Sequence, residues 1–482
     1  MSIYKRVFPG GFRTLCAALF PARALTAETG SCIMEQAGLS AFDLFAIGSV
    51  SGIPILSDKR AASAVHDVKR TACRRKVFRD MGYSEKDVLA YVKDEDVKFV
   101  KLAFCDAFGT QKNISVLASQ LPRAFEEGIP FDASAIRGFA AADKSGLLLC
   151  PDPSTLSVLP WRPSHGRVIR LFCDILHADR TPFEADCRRI LSEAAAAAAA
   201  GGVSCRIGAE FEFYLFQNDE AGNPTAQPFD RAGYFDIAPL DKGENVRREI
   251  CCTLEEMGIV PETSHHEEGP GQNEIDFCHS EPLAAADNAL TFKNVVRMAA
   301  ARNGLTADFS AKPIPDEPGN SQHIHLSVQT GEKAGRDSFA AGILAHIAEL
   351  TVFLNPTEAS YRRLAERKAP RYITWSRENR SQLLHIPELG RDGGIRMELR
   401  SPDPSSNPYL AYALLIYAGL DGIRRGLTLP EPVNAELCCA PEELVKTLAK
   451  LPGSIEEAAG LAVQSEFVKR ILPSRLIRCY TL

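Results

Sequence analysis

Four short segments of this chain carry charged or metal-ligating side chains on every second residue. In Cys205–Phe216, read as a strand whose side chains alternate between faces, Glu210 and Glu212 project together. Cys205, Ile207, Ala209, Phe211, Phe213 and Leu215 form the opposite, apolar face. One Glu-x-Glu alone lines many solvated strands and means little. The pattern recurs, however: Glu274 and Asp276 alternate with Ile275 and Phe277, and His323, His325 and Ser327 with Ile324, Leu326 and Val328. Arg396, Glu398 and Arg400 alternate with Ile395, Met397 and Leu399. Carboxylates two residues apart on a strand are separated by roughly 6.5 to 7 Å at the backbone, so they can reach different members of a metal pair about 4 Å apart.

Such polar faces are costly to enclose without compensating charge, and divalent cations and phosphates supply it. Glutamates with one histidine suit Mg²⁺ or Mn²⁺ better than a thiolate-seeking metal. The arginines point to an anionic substrate or a migrating phosphoryl group, because forked guanidinium donors match carboxylate and phosphate oxygens. His325 taken singly is as well explained as a core histidine; the conjunction of four strands argues for a site. The segment Ser264–Glu274 adds Glu267 and Glu268 to a Gly269-Pro270-Gly271 turn just before a strand, a turn that lets backbone approach a ligand closely. Neither a phosphate-binding Gly-x-x-x-x-Gly-Lys-Ser/Thr loop nor a Gly-x-Gly-x-x-Gly after a strand occurs, so a nucleotide has to be held by metals, arginines and side chains.

The elements that position these residues are those of an α+β protein. With 482 residues, 45% of them hydrophobic and 24% charged, the chain can bury a large core. A net charge of -6 gives no basic surface for nucleic acid. The longest apolar runs, such as Ala194–Ala200, are short and flanked by charge, so no membrane span is expected. The fourteen cysteines are scattered and read as reduced thiols of a cytoplasmic protein. Residues 1–80 are locally basic and lack a sustained period, and they read either as an ordinary flexible extension or as a segment preceding the true initiator Met81. Ser84 with Asp87 three residues on marks a helix start. Short apolar runs from Val97 to Trp161 predict a small mixed sheet, a connecting strand follows near Val168–Ile175, and helices covering one side of a mainly antiparallel sheet are expected beyond it.

These residues resemble the glutamine synthetase family from about Met81 to the C-terminus. The matching stretches are Phe131–Phe139, Gly208–Phe213, His265–Glu274, Gly319–Ser327, Asn379-Arg380-Ser381 and Arg396 to Ala411, in family order. The resemblance implies a β-grasp domain over 81–177 and a catalytic domain over 178–482 with a curved antiparallel sheet. It implies a homo-oligomeric ring with shared active sites, in which Asp132 is donated to a neighbouring subunit. Glu212, Glu267 and Glu274 are the implied ligands of a metal near glutamate, and Glu210, His323 and Glu398 those of a metal near the ATP phosphates. Two or more Mg²⁺ or Mn²⁺ ions per subunit follow. Arg363, Gly319 and Arg400 are implied to hold glutamate, Arg380 and Arg396 the phosphoryl group, and His325 and Ser327 the nucleotide. Tyr234, Asp132 and Glu267 are implied to shape the site for the amine, with Asp132 or Glu267 taking its proton.

The implied activity is ATP-dependent joining of glutamate to ammonia through γ-glutamyl phosphate, without nucleic acid or membrane as partner. Three positions depart from the family pattern. Lys368 stands where ammonia-using members carry a glutamate, His385 where an arginine is familiar, and Pro318 where an asparagine precedes the glycine. A cation at an ammonium site disfavours a small cation there. Pro318 resembles the branch ligating polyamines or other organic amines, which makes such a ligase the second reading. A catalytically weak structural or regulatory member is the third. The tail Tyr480-Thr481-Leu482 stops short of the helix by which bacterial members clasp two rings, so a single ring is expected as readily as a double one.

Overall fold

A computed structural model describes residues 82–139, 145–162, 165–331, 333–364, 366, 369–387, 395–437 and 439–481. The expectations for residues 1–80, for Met81 and for Lys368 lie outside the described residues. All elements below belong to the unit Tyr83–Leu482.

Helix α1 (Glu85–Asp94) opens on the expected capping box: the Asp87 backbone N–H donates to Ser84 Oγ and the Ser84 N–H to Asp87 Oδ2. Strands β1 (Val97–Cys105) and β2 (Gln111–Leu117) form a hairpin, followed by α2 (Leu121–Glu127), β3 (Ile129–Asp132), β4 (Gly146–Pro151), β5 (Ser157–Val158) and β6 (Arg167–His177). The sheet runs β2-β1-β6-β4-β3, with β5 beside β6. It is mixed, as expected, because β1 pairs with β6 in parallel while the other pairs are antiparallel. Only Ser157 and Val158 of the apolar run near residues 155–159 make a strand.

The second part begins with α3 (Cys187–Ala200), which contains the alanine run and is capped by Asp186. It continues through β7 (Ser204–Asn218), β8 (Pro224–Pro228), α4 (Glu244–Glu256), β9 (Pro261–His266), β10 (Gln272–Ser280), α5 (Pro282–Arg302), β11 (Leu305–Asp308) and β12 (Gln322–Gln329). Then come α6 (Lys333–Leu354), α7 (Glu358–Arg363), β13 (Trp375–Ser376), β14 (Leu384–His385), β15 (Ile395–Leu399) and α8 (Pro408–Arg425). Four short helices close the chain: α9 (Glu442–Thr447), α10 (Ile455–Gln464), α11 (Glu466–Ile471) and α12 (Ser474–Thr481). The strand order is β13-β14-β15-β12-β7-β10-β9, with β8 and β11 on β7, and every pair but β13 with β14 is antiparallel.

The apolar strand faces sit under helices, as the alternation requires. Ala209, Phe211, Phe213, Leu215, Ile275 and Phe277 pack with Phe292, Val295 and Val296 of α5 and with Ile250 and Leu254 of α4. Cys205, Ile207, Ile324, Leu326, Val328, Met397 and Leu399 join the larger core with residues of α3, α6 and α8. The stretch Gly335–Leu354 of α6 is long and apolar enough to cross a membrane, but 72% of its most apolar 18-residue window is buried inside the protein. Gly342 and Gly422 let α6 and α8 cross so closely that a Cβ at either would strike the other helix's backbone. A helix apolar on all sides is what such a central position demands.

Candidate active site

Antiparallel pairing sets the polar side chains in rows across the sheet. His265 of β9 lies opposite Glu274 of β10, which lies opposite Glu212 of β7. One step along, Asp276 is opposite Glu210, and Glu210 is opposite His323 of β12. On the other side His325 faces Glu398, Ser327 faces Arg396, and His385 of β14 also faces Glu398. The period-two pattern thus becomes a continuous polar surface, backed on its other face by the aromatic core.

Three groups on this surface bring ligand atoms within 4.8 Å of one another: Glu210, His323 and Glu398; His265, Glu267 and Glu274; and Glu210, Glu274 and Asp276. Because Glu210 and Glu274 are shared with the third group, the first two are neighbours. His323 Nδ1 is 2.8 Å from Glu210 Oε2, and His325 Nε2 is 2.5 Å from Glu210 Oε1. Burial opposes ionisation of Glu210, but His323 and His325 outweigh it and hold its carboxyl well below the usual range. Burial likewise opposes charge on Glu398, while His385 and Arg400 hold it down. Glu212 and Glu274 show the reverse: burial and then neighbouring carboxylates push both well up. Asp276 rises to about 6 through burial and Glu210. Buried carboxylates crowded in this way fit a hard divalent cation, whose charge cancels the repulsion. The donor set of carboxylate oxygens with one or two imidazoles agrees with Mg²⁺ or Mn²⁺.

Beside the Glu212 end stands an arginine pair. Arg363, 1% exposed at the end of α7, donates from Nη1 to Ser321 Oγ at 3.1 Å and from Nη2 to the Ser401 carbonyl. Arg400 donates from Nη1 to Glu398 Oε1. In each guanidinium the Nε is buried with no hydrogen-bond partner among the described residues. Gly319 packs against the Arg363 stem: a Cβ there would lie 2.5 Å from the Ala311 carbonyl oxygen and 2.6 Å from Arg363 Cγ. Its carbonyl accepts from Gln272 Nε2 at 3.1 Å, and its N–H donates to Glu366 Oε2 at 3.2 Å. Gln272 Nε2 also donates to Glu212 Oε2 at 3.0 Å, and the Ser321 N–H donates to the same oxygen at 2.8 Å. Tyr214 Oη donates to the Pro318 carbonyl at 2.6 Å, fixing the turn before Gly319.

On the far side, Arg396 Nε donates to His325 Nδ1 at 3.3 Å. His325 therefore accepts at Nδ1 and carries its proton at Nε2 toward Glu210. Ser327 Oγ lies 3.0 Å from His279 Nδ1. Tyr234, half exposed, meets the His265 ring edge-on at 5.7 Å and stacks on Phe235 at 4.0 Å, which places it by the His265, Glu267 and Glu274 group. Two expected residues are not joined to the clusters within one chain. Arg380 is exposed after β13, with no ion pair to the ligand groups among the described residues. Asp132 is exposed at the end of β3, where its carboxylate accepts from the Ser134 N–H and Oγ, both at 2.9 Å.

Three contributors escaped the reading of the sequence. His265, one residue beyond Ser264 in the acidic turn segment, is a potential ligand whose alternation with Glu267 was the available signal. Gln272 and Ser321, which orient Glu212, gave none.

The arrangement, two neighbouring carboxylate clusters with guanidinium groups at either end, defines a site that can bring a carboxylate and a polyphosphate together on divalent metal. Residues 96–178 match the family model described as glutamine synthetase, beta-Grasp domain, and residues 184–482 that described as glutamine synthetase, catalytic domain. The chain is 42% identical over 406 residues to a glutamine synthetase of Clostridium saccharobutylicum, covering 81% of this chain and 91% of that protein. It is 41% identical over 413 residues to one from Methanosarcina mazei, covering 82% and 92%. Among solved structures it is similar to GmaS in complex with ADP, with TM-score 0.74, 28% identity and coverage of 82% and 94%. A Plasmodium falciparum glutamine synthetase shares the fold, with TM-score 0.72, 20% identity and coverage of 83% and 94%. The chain belongs to the glutamine synthetase family and is a ligase. The family uses divalent metals and ATP.

Proposed function

We propose that the protein joins the γ-carboxylate of glutamate to ammonia with cleavage of ATP to ADP and phosphate, the phosphate leaving with one oxygen of that carboxylate. The observation that carries this reading is the pair of neighbouring clusters flanked by Arg363 and Arg400, whose buried Nε groups lack partners among the described residues. Glu212, Glu267 and Glu274 would hold one divalent ion, and Glu210, His323 and Glu398 another. When bound, the metals neutralise the phosphate and carboxylate oxygens that otherwise repel. Arg363 and Arg400 hold the glutamate α-carboxylate, with the Gly319 backbone closing that side. His325 and Ser327 face the nucleotide, and Arg380 and Arg396 balance charge on the migrating phosphoryl group.

A γ-carboxylate oxygen attacks the γ-phosphorus as ADP leaves. The nitrogen of ammonia then attacks the carbonyl carbon of the acyl phosphate, and phosphate departs. Ammonium has no lone pair, so a base must first take its proton; Glu267 would do this at the end of the site where Tyr234 meets His265, and Asp132 would reach it from a neighbouring subunit in a homo-oligomeric ring. Localisation in the cytoplasm, where ATP and glutamate are abundant, accords with this chemistry.

A second reading, an organic amine as acceptor, is supported by Pro318 and by the exposed aromatic pair Tyr234 and Phe235 at the amine side, 50% and 58% exposed, which could cover an alkyl chain. The discriminating experiment measures ADP release with Mg²⁺, ATP and glutamate while ammonium or each of a panel of alkylamines and diamines is added. Ammonium giving the highest kcat/KM supports the first reading. A preference for an organic amine replaces it with the second, and amine-independent slow turnover removes both in favour of the weak, regulatory member.

A further inference from the structure

Away from the metal clusters, a cavity of about 590 Å³ opens between the β-grasp domain and the catalytic domain. Its ionisable lining is Lys101 of β1, Arg162, Arg170 of β6, and Lys293 and Arg297 of α5, against the single carboxylate of Asp308 among the described residues. None of the residues assigned above to metal, glutamate or nucleotide lines it.

Two of the five cations are more than nine-tenths buried, Arg170 at 7% and Lys293 at 6% exposure. Arg170 donates from Nη1 to Thr291 Oγ1 at 2.5 Å and lies over the Phe172 ring, yet its Nε is buried without a partner among the described residues. Asp287, whose charge acts on Arg170, is already engaged by Arg188 and by the Tyr409 hydroxyl. Lys293 donates to the Pro404 carbonyl at 2.6 Å, and burial pushes its amine down to about 7. Arg297 lies over the Phe309 ring and feels Asp308, but burial still lowers it. Buried donors left unpaired, and cations gathered with too little opposing charge, are unfavourable until an anion joins them.

We propose that this cleft is a binding site for a small anion bearing carboxylate or phosphate groups, seated on Arg170, Lys293 and Arg297 with Arg162 and Lys101 at the mouth. The cavity has room for a molecule of metabolite size. Its wall also reaches the catalytic strands: Ser406, which lines it, donates from Oγ to Gln322 Oε1 at 3.1 Å, and the Gln322 N–H donates to the Pro402 carbonyl at 3.0 Å. Gln322 immediately precedes His323.

The test is calorimetric titration of the intact protein, with Mg²⁺, ADP and glutamate saturating, against inorganic phosphate in one arm and succinate in another. Saturable binding of one anion per subunit is expected in at least one arm, and the responding arm identifies the chemistry. Losing one charged donor should weaken it about tenfold or more in Arg297→Met, and Arg162→Ala at the mouth should weaken it in the same direction. Arg297→Lys should recover part of the loss, and ADP affinity should be unchanged in all three. Absence of saturable binding in both arms overturns the proposal, as does binding that persists undiminished in Arg297→Met and Arg162→Ala, since the anion would then sit in the active site.

Discussion

Gly319 shows how narrowly the end of the site proposed for glutamate is drawn. Its missing side chain leaves the space in which the Arg363 stem lies, and its two backbone groups are both bonded, to Gln272 and Glu366. Gly319→Ala must push Arg363 aside or move the turn. Because displacements of the order of 1 Å in a binding clamp can cost about a hundredfold, the variant is expected to raise the KM for glutamate at least about tenfold while the KM for ATP stays within a factor of a few. Equal effects on both substrates in steady-state kinetics would show that Arg363 is not the glutamate clamp. At this scale the clustered carboxylates and histidines proposed as ligands were readable in the sequence because each stood on an alternating strand or an acidic turn. Gln272 and Ser321 were not, since their role depends on meeting Glu212, 60 and 109 residues away.

Between elements, Arg188 of α3 is the main polar tie. Only 4% exposed, it bonds Asp287 of α5, Asp174 of β6 and Asp152 before β5, residues 99, 14 and 36 positions away. Removing the cation leaves carboxylates facing one another, two of them partly solvated, so Arg188→Met should cost about 3 kcal/mol, toward the low end for a broken buried pair. The urea midpoint should fall accordingly; an unchanged midpoint would mean that packing alone joins these elements. A second element-scale feature is His346 of α6, stacked on Phe467 of α11 and set between Glu349 and Asp421. Burial opposes its protonation, but Glu349 and Asp421 outweigh burial and raise it above 6.5, while Arg424, Arg425 and Arg470 share the Asp421 carboxylate. A raised folded-state value means that this stabilisation is complete below about pH 6.5 and is lost as pH rises through the folded value. Melting temperature measured from pH 6 upward should decline less steeply in His346→Gln, and parallel profiles would exclude the linkage. Strand faces and the Ser84 cap were legible because both are local periodicities or spacings. The two-residue strands β13 and β14 and the Arg188 tie were not, because long-range pairing creates them.

For the whole molecule, the exposed position of Asp132, bonded locally to Ser134 and Ser145, accords with a site completed by a neighbour. If each site takes Asp132 from one subunit and the metal ligands from the next, Asp132→Asn and Glu274→Gln subunits co-expressed at equal levels should recover about one quarter of wild-type activity from two inactive parents, by random placement around a closed ring. No recovery from mixed oligomers would place Asp132 outside the shared site. The central claim, that this fold and these two clusters activate the glutamate γ-carboxylate by phosphorylating it, is tested most directly with glutamate labelled with ¹⁸O in that carboxylate. With Mg²⁺, ATP and ammonium, the label should pass to the released phosphate, one oxygen per ADP formed. Phosphate released without label would contradict the account, since its oxygens would then have come from water and ATP alone.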